Sequence, residues 1–260
     1  MTAFEPALCS VTFRNLAPKE IVALAKQARL EAIEWAGDVH VPPENLETAK
    51  EVSVHTGEAG LALSYGSYVA PPTDDHARFE IALKTTMELG ATNMRIWPGT
   101  RGRDSISYSP QEREQTGRLI REMGQTAKEA GVTLSLEYHP KSLTDTTASA
   151  KSLIEAIAHE NVYLYWQPRP GLLIGDALQE IREIGHHISH VHVFAWDADR
   201  NRYPLASAAR YWETALAAIP EGRWGDRRYA MLEFVKDDRL EILLQDAKCL
   251  IDILKRLPSA

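Results

Sequence analysis

Short apolar runs alternate with amphipathic stretches along the whole chain. We interpret eight of these runs as β-strands, because each is rich in aliphatic, β-branched or aromatic residues and is bounded by polar or turn-forming residues. The predicted strands are ALCSVTF (7–13), EAIEW (31–35), GLALSYG (60–66), NMRIWPG (93–99), TLSLEYHP (133–140), VYLYWQP (162–168), HVHVFAW (190–196) and YAMLEFV (229–235).

The stretches between the strands have helical periodicity, as in PKEIVALAKQARL (18–30) and QEREQTGRLIREMGQTAKEAG (111–131). Pro18 near a predicted helix start, and Gly90 and Gly131 just past predicted ends, are residues that commonly begin and end helices.

Strands recur roughly every thirty residues, the spacing of successive strand–helix units, and no linker or low-complexity tract separates them. This alternation over 260 residues is typical of a (β/α)8 TIM barrel. We therefore predict one α/β domain over 1–260. A doubly wound open sheet is the alternative, but it would normally have a glycine-rich turn after the first strand, and VTFRNLAP has no glycine.

Composition narrows the classes of function. A hydrophobic content of 44% supports a large core, and a net charge of -7 argues against a nucleic-acid-binding surface. Two cysteines are too few for a disulfide framework and are compatible with a reducing cytosol. We find neither the pattern of a signal peptide nor a run apolar enough to span a membrane. We therefore expect a cytoplasmic protein that binds neither nucleic acid nor membranes.

Candidate chemistry lies where the strands end, because active sites of TIM barrels are built at the C-terminal ends of the strands. Glu137 and Glu233 each interrupt an apolar strand. A buried carboxylate is costly unless it is paired, hydrogen-bonded or bound to a metal. A structural salt bridge at the rim would explain either residue alone. Two such residues, with a histidine on the seventh strand, favour a functional site.

The seventh strand has two histidines, His190 and His192, which point to the same side because side chains alternate along a strand. His192 is nearer the C-terminal end and is the better ligand candidate, while a core role suits His190. Glu137 and His139 also share a face. A carboxylate-rich set with one imidazole suits Mn²⁺, Mg²⁺ or Co²⁺ better than a structural zinc ion.

The chain resembles the sugar isomerase/epimerase families of the xylose-isomerase-like barrel superfamily nearly from end to end. The motifs that carry this resemblance are TFRNLAPKEIVALAKQARLEAIEW with GDVHVP behind it, SYGSY, MRIWPG, LSLEYHP, HVHVFAWD with RYPL, and LEFV. In such families Glu, Asp, His and Glu from strands five to eight hold one divalent metal ion. The resemblance therefore implies a metal site at Glu137, Gln167, His192 and Glu233.

The resemblance also implies an activity, in which the two glutamates serve as the acid/base pair. We expect a divalent-metal-dependent sugar epimerase or isomerase that abstracts a proton next to the carbonyl of a keto- or oxo-sugar, through a metal-stabilised enediolate. A lyase that expels water or an aglycone from the same site is the alternative. A non-catalytic sugar-binding barrel with a decayed site is a further one. A DNA-repair nuclease would need more histidine ligands and a basic face.

Gln167 departs from the family pattern, which has aspartate there, and Pro170 stands where a histidine often follows. The amide oxygen of Gln167 can still coordinate a hard cation. The ligand set would then have a charge of about −2 instead of −3, which one divalent ion neutralises. The other hypothesis is that Gln167 binds substrate hydroxyls and that water fills its place at the metal.

Several aromatic and polar side chains near the strand ends are candidates for binding the substrate: His40, Tyr65, Trp97, His139, Trp196 and Arg202. The loops after strands seven and eight lack a glycine-rich phosphate cradle, so we expect a small, unphosphorylated sugar or glycoside. By analogy with other barrels of this kind, we expect a homo-oligomer.

Overall fold

The computed structural model describes residues 4–258, in which eight parallel strands close into a barrel in the order β1 to β8. The strands are β1 (Glu5–Cys9), β2 (Ala32–Ala36), β3 (Ala62–Gly66), β4 (Asn93–Ile96), β5 (Thr133–Glu137), β6 (Val162–Trp166), β7 (Ile188–Val193) and β8 (Tyr229–Leu232). The α-helices are α1 (Pro18–Gln27), α2 (Leu46–Glu58), α3 (His76–Leu89), α4 (Pro110–Glu129), α5 (Thr147–Ile157), α6 (Ile174–Ile184), α7 (Ala209–Ala218) and α8 (Leu240–Arg256). The prediction of a (β/α)8 TIM barrel is confirmed.

The barrel has two apolar layers, because side chains alternate between the inside and the outside along each strand. Residues such as Leu8, Ile33 and Leu134 lie on the outer face of the barrel. They are fully buried there, in the large apolar cluster that the strands form with the helices. The inner cluster combines small residues on β1 and β2 with larger ones on β6 and β8: Ala7, Cys9, Ala32, Ala36, Tyr165, Tyr229 and Met231. The strands also carry buried polar side chains away from the C-terminal mouth, such as Asn93, whose Nδ2 donates to Ser135 Oγ at 2.8 Å.

The first strand differs from its prediction. We predicted 7–13, whereas β1 ends at Cys9 and 10–13 form a turn of 3-10 helix. The Ala36 N–H donates a hydrogen bond of 2.8 Å to Ser10 Oγ, and His40 Nδ1 lies 3.0 Å from the same oxygen. These bonds to residues beyond β1 explain why the chain turns at Ser10. The last inward-facing residue of β1 is therefore Cys9.

The helix ends follow local sequence signals. Helix α1 begins at Pro18, as predicted, and α4 begins with a capping box in which Ser109 and Glu112 bond to each other's backbone N–H groups. Gly90 and Gly131 follow α3 and α4 with φ of 77° and 72°, the left-handed conformation that glycine adopts at low cost. Within 4–258, no helix combines the length and apolar character needed to cross a bilayer.

Candidate functional site

The C-terminal mouth of the barrel brings together six polar side chains from six different strands or strand ends. Each is at most 9% exposed, so water does not solvate them freely. They are Glu34, Arg95, Glu137, Gln167, His192 and Glu233. A buried group of this kind is stable only when its charges are matched and its hydrogen bonds are made.

Three of the four residues predicted as metal ligands place an oxygen near Nδ1 of the fourth, His192. That nitrogen lies 3.1 Å from Gln167 Oε1, 3.7 Å from Glu233 Oε2 and 4.0 Å from Glu137 Oε1. Bonds of about 2.0–2.6 Å to one ion place neighbouring ligand atoms roughly 3 Å apart. The three distances to His192 Nδ1 exceed that spacing by at most about 1 Å. Two carboxylates, an amide oxygen and an imidazole suit a hard cation such as Mg²⁺ or Mn²⁺.

Cys9 belongs to a second possible grouping, because donor atoms of Cys9, His192 and Glu233 lie within 4.8 Å of one another. Burial raises the pKa of the Cys9 thiol well above its ordinary value, and the charges of Glu34 and Glu233 raise it further. The Cys9 thiol lies 3.8 Å from Glu34 Oε1, to which it donates. Since only the thiolate is an effective ligand, the protonated Cys9 is a poorer ligand than the oxygen donors.

Arg95 on β4 forms the electrostatic centre of the mouth. Its Nε lies 3.2 and 3.1 Å from the two carboxylate oxygens of Glu34, and its Nη2 donates to Glu34 Oε1 at 2.9 Å. Its Nη1 forms an ion pair with Glu137 Oε2. Burial acts to raise the pKa of Glu34, but Arg95 and His192 outweigh burial and lower that pKa. The carboxylate of Glu34 is therefore held ionised beside the guanidinium.

His192 has one ring nitrogen on each side of this arrangement. Its Nδ1 faces the predicted ligands, while its buried Nε2 has no hydrogen-bond partner and lies 3.6 Å from Glu34 Oε1. Burial acts to lower the pKa of His192, but the charges of Glu233 and Glu34 outweigh burial and raise it. Histidine ligands commonly donate their second N–H to a carboxylate, which fixes the ring. Glu34 is placed for that role.

A cavity of about 160 Å³ lies over these groups. Its lining combines site carboxylates with aromatic and proline side chains from the strand ends and loops: Glu137, His139, Gln167, Pro168, Pro170, Phe194, Trp196, Arg200, Glu233 and Phe234. Burial raises the pKa of Glu233 in this setting.

A larger depression of about 810 Å³ lies on another part of the protein, between the start of β1 and helix α8. Its described lining has no histidine or cysteine.

Two of the predicted substrate residues, His139 and Trp196, line this cavity. Trp97 lies behind His139, with ring centroids 4.2 Å apart and near-perpendicular planes. Burial lowers the pKa of His139, so its imidazole is neutral near pH 7. Trp97 itself is not part of the lining, so only His139 and Trp196 of the predicted substrate residues line this cavity.

Like Trp97, the remaining three predicted substrate residues lie outside the lining of this cavity. His40 is buried against Ser10. Tyr65 is fully buried, with its hydroxyl donating to the Val41 carbonyl at 2.9 Å. Arg202 forms an ion pair with Asp238 and covers the Phe234 ring. Their side chains make contacts within the protein, and none of the three lines this cavity.

Three members of the site have no role predicted from the sequence: Cys9, Glu34 and Arg95. The criterion that identified Glu137, a charge inside an apolar strand, also applies to Glu34 and Arg95. The salt bridge considered for Glu137 exists, with Arg95 as its partner, and it is part of the same site. Cys9 had no such signal, because the predicted first strand ended four residues too late.

Comparisons with known proteins agree on the architecture. The probable 3-DHS dehydratase AsbF of Bacillus anthracis has a similar structure, with a TM-score of 0.75 and 18% identity over 95% of this chain and 99% of that chain. A xylose isomerase-like TIM barrel protein of Mycobacterium smegmatis in complex with magnesium gives a TM-score of 0.69 and 16% identity, over 98% of each chain. D-psicose 3-epimerase of Clostridium cellulolyticum H10, solved with D-tagatose, gives 0.72 and 15%, over 99% of this chain and 100% of that chain.

These identities are low, so the three likenesses show the fold alone. Among curated proteins, none matches the sequence. A family model described as xylose isomerase-like TIM barrel matches residues 22–227, which is most of the chain. The protein therefore belongs to the xylose isomerase-like TIM barrel family.

Proposed function

We propose that this protein is a divalent-metal-dependent sugar epimerase or isomerase that moves a proton next to the carbonyl of a keto- or oxo-sugar. The observation that carries the proposal is that three oxygen donors lie 3.1–4.0 Å from His192 Nδ1, beneath a cavity lined by two carboxylates. The similar fold of D-psicose 3-epimerase supports this class of reaction.

Glu137, Gln167, His192 and Glu233 would hold the metal ion. A bound divalent cation would stabilise the negative charge that develops on the substrate oxygens when a neighbouring C–H bond loses its proton. The charges support a single ion, because Glu34 and Arg95 neutralise each other and leave the two carboxylates of Glu137 and Glu233. These two negative charges match one M²⁺.

Glu137 and Glu233 would transfer the proton. Both line the cavity, and both lie within 4.0 Å of the same imidazole, so both carboxyl groups can reach a substrate bound there. Burial raises the pKa of Glu233, which suits a group that must hold a proton and return it. We assign proton abstraction to Glu137, the partner of Arg95, and proton return to Glu233.

The substrate class follows from the lining of the cavity. Trp196 and Phe234 offer apolar ring faces, and His139 and Gln167 offer hydrogen-bonding groups, a combination that suits a small polyhydroxylated ring or chain. We propose an unphosphorylated sugar or glycoside as the substrate. The free thiols Cys9 and Cys249 suit a cytoplasmic location, and assembly into a homo-oligomer is proposed by analogy alone.

The first test is elemental analysis of the purified protein before and after chelation. We expect one divalent ion per chain in the native protein and none after chelation. The Glu233→Ala variant should lose most of this metal. Unchanged metal content in that variant would remove Glu233 from the ligand set.

The second test is exchange with D₂O across a panel of keto-sugars. Deuterium should enter the substrate or product, and Glu137→Gln or Glu233→Gln should reduce its entry by orders of magnitude, because each variant loses an acid/base group. Glu180 is a matched control, because it is also buried but lies on α6 and accepts from Trp166 Nε1 at 3.3 Å. Glu180→Gln should keep the exchange. Absence of deuterium in every substrate would contradict the proposal.

Expulsion of a leaving group is the second candidate reaction, since it begins with the same proton abstraction. The similarity to a probable 3-DHS dehydratase is the observation that favours it. Mass analysis of the products separates the two reactions: an epimer or isomer keeps the mass of the substrate, whereas a lyase releases water or an aglycone. A protein that binds sugar but neither exchanges deuterium nor forms product would be a non-catalytic sugar-binding barrel.

A further inference from the structure

We propose that the Arg95 guanidinium is a built-in cation that fills the position between Glu34 and Glu137, and that it limits this site to a single divalent metal ion. The inference rests on the metal site of the proposed function. It assigns Arg95 a positioning role, because its contacts are with carboxylates and an aromatic ring and it does not line the cavity.

The two carboxylate oxygens of Glu137 face two different cation positions, that of Arg95 and that of the proposed metal. Its Oε2 pairs with the guanidinium, while its Oε1 accepts from Gln167 Nε2 at 3.2 Å and faces His192. One oxygen of this carboxylate is therefore held by the guanidinium, and the other faces the proposed metal position. Holding Oε2 in the ion pair leaves Oε1 directed to the proposed metal.

The position that Arg95 occupies has other potential donors around it. Glu34 contributes both carboxylate oxygens, and Cys9 Sγ lies 3.8 Å from one of them. All these residues are almost fully buried, so removing the guanidinium would leave two uncompensated carboxylates that need another cation.

The charges of the site sum to zero when one divalent ion and Arg95 are both present. Glu34, Glu137 and Glu233 supply three negative charges, Arg95 supplies one positive charge, and a divalent ion supplies the remaining two. A second divalent ion beside Arg95 would leave a buried excess of two positive charges, which is strongly unfavourable in a poorly solvated site.

The backbone leaves space for this guanidinium. A Cβ added to Gly66 at the end of β3 would lie 2.5 Å from Arg95 Nη2 and 3.0 Å from Glu34 Oε1. The neighbouring Tyr68 ring lies 5.1 Å from the guanidinium carbon, within the range of a cation–π contact. The absence of a side chain at Gly66 and the ring of Tyr68 together define a pocket that fits the arginine head group.

The test is the number of Mn²⁺ ions bound per chain, measured by calorimetric titration of metal-free protein and by elemental analysis. We expect one ion in the wild type and two in Arg95→Met. The double variant Arg95→Met/Glu34→Gln should return to one ion, because it removes one of the two carboxylates that hold the second. Arg95→Lys should stay at one. Arg103→Met, which removes an exposed pair with Glu112, is the surface control and should also stay at one.

The outcomes separate this inference from the proposed function. A folded Arg95→Met variant that binds the same number of ions as the wild type overturns the inference, whatever the wild type binds. A wild type that binds no Mn²⁺ contradicts the proposed metal site, but a gain of one ion in Arg95→Met would still support the cation role of Arg95.

If the Arg95→Met variant is unstable, thermal unfolding with and without Mn²⁺ provides the test. Mn²⁺ should raise its melting temperature by more than it raises that of the wild type, or restore its folding, because the ion replaces the lost charge. Recovery by neither Mn²⁺ nor Glu34→Gln would show that the shape of the arginine, and not its charge, is required, and the inference would fail.

Discussion

Gln167 has two hydrogen-bonding groups that contact different members of the site. Its Nε2 donates to Glu137 Oε1 at 3.2 Å, and its Oε1 lies 3.1 Å from His192 Nδ1. The Gln167→Glu variant replaces the donor with a negative charge beside Glu137. We expect Mn²⁺ affinity to rise by roughly ten- to a hundredfold, or about 1–3 kcal/mol, as measured by calorimetry. We expect activity to fall, because the added charge opposes negative charge on the substrate.

Gln167→Ala provides the complementary measurement. It removes the amide oxygen without adding a charge, and we expect it to weaken Mn²⁺ binding by about 1–3 kcal/mol. Equal Mn²⁺ affinities for the wild type and both variants, with a change in the Michaelis constant alone, would identify Gln167 as a substrate contact and contradict its assignment as a ligand.

Gly66 is a residue at which a single methyl group should matter. Gly66→Ala places a Cβ against the Arg95 guanidinium, at 2.5 Å, and against Glu34. Overpacking of this kind costs about 1–3 kcal/mol in the free energy of unfolding, which urea titration would measure. Gly57→Ala is the control, because Gly57 lies in α2 with no atom within 4 Å of its added Cβ, and alanine there should stabilise the helix slightly. Equal stabilities of the two variants would contradict the tight packing at Gly66.

At the scale of elements, the sequence was sufficient to place the strands that carry the site. Glu137, His192 and Glu233 could be found because each places a charged or titratable side chain in or at the end of an apolar strand, and barrel topology brings such ends together. The end of β1 could not be predicted locally, since Ser10 bonds to groups on β2 and beyond. That contact depends on tertiary structure.

The loop after β7 forms a turn held by one carboxylate. The Asp197 carboxylate accepts hydrogen bonds from the backbone N–H groups of Asp199 and Asn201 and from the Tyr203 hydroxyl. An isolated antiparallel β-bridge joins the backbones of Trp196 and Arg202 across the turn. Asp197→Ala removes these acceptors. We expect amide hydrogen exchange over 196–203 to become roughly ten-fold faster, because local opening exposes these amides.

Asp199→Ala is the matched control for this loop, because it changes an exposed carboxylate in the same turn and leaves Asp197 in place. We expect the exchange of 196–203 to stay close to that of the wild type. Metal binding should be unchanged in both variants, since the loop carries none of the proposed ligands. Equal exchange in Asp197→Ala and the wild type would show that Asp197 does not order the turn.

At the scale of the whole molecule, closure of the barrel decides which distant residues meet. The pattern of eight strands in the sequence predicts a closed sheet. The distances from His192 to Gln167 and to Glu34 are set by the register between the strands, which that pattern does not give. The pairing of β3 with β4 aligns Gly66 with Arg95, so the guanidinium lies in the space that a side chain at Gly66 would fill. Such relations depend on the relative shift of strands and have no signature within one strand.

The stability of the whole protein should depend on pH through Asp246. This residue of α8 is 4% exposed, and its carboxylate accepts from the Leu205 N–H at 2.7 Å. Burial raises the pKa of Asp246 from 3.8 to about 6. The folded state therefore binds this proton more tightly than the unfolded state, so stability is lost as the pH rises through the window between these two values and stays reduced above it.

Asp246→Asn removes the buried charge and keeps an oxygen acceptor for Leu205. The shift in the pKa of Asp246 corresponds to a gain in the free energy of unfolding of up to about 3 kcal/mol at pH 8, and about half of that at pH 5, where the folded wild type is largely protonated. Urea titrations at the two pH values would measure both differences. Asp252→Asn, which changes an exposed carboxylate of the same helix, should have little effect at either pH. A gain from Asp246→Asn that is the same at pH 5 and pH 8 would show that the benefit arises from packing and not from ionisation of the buried carboxyl.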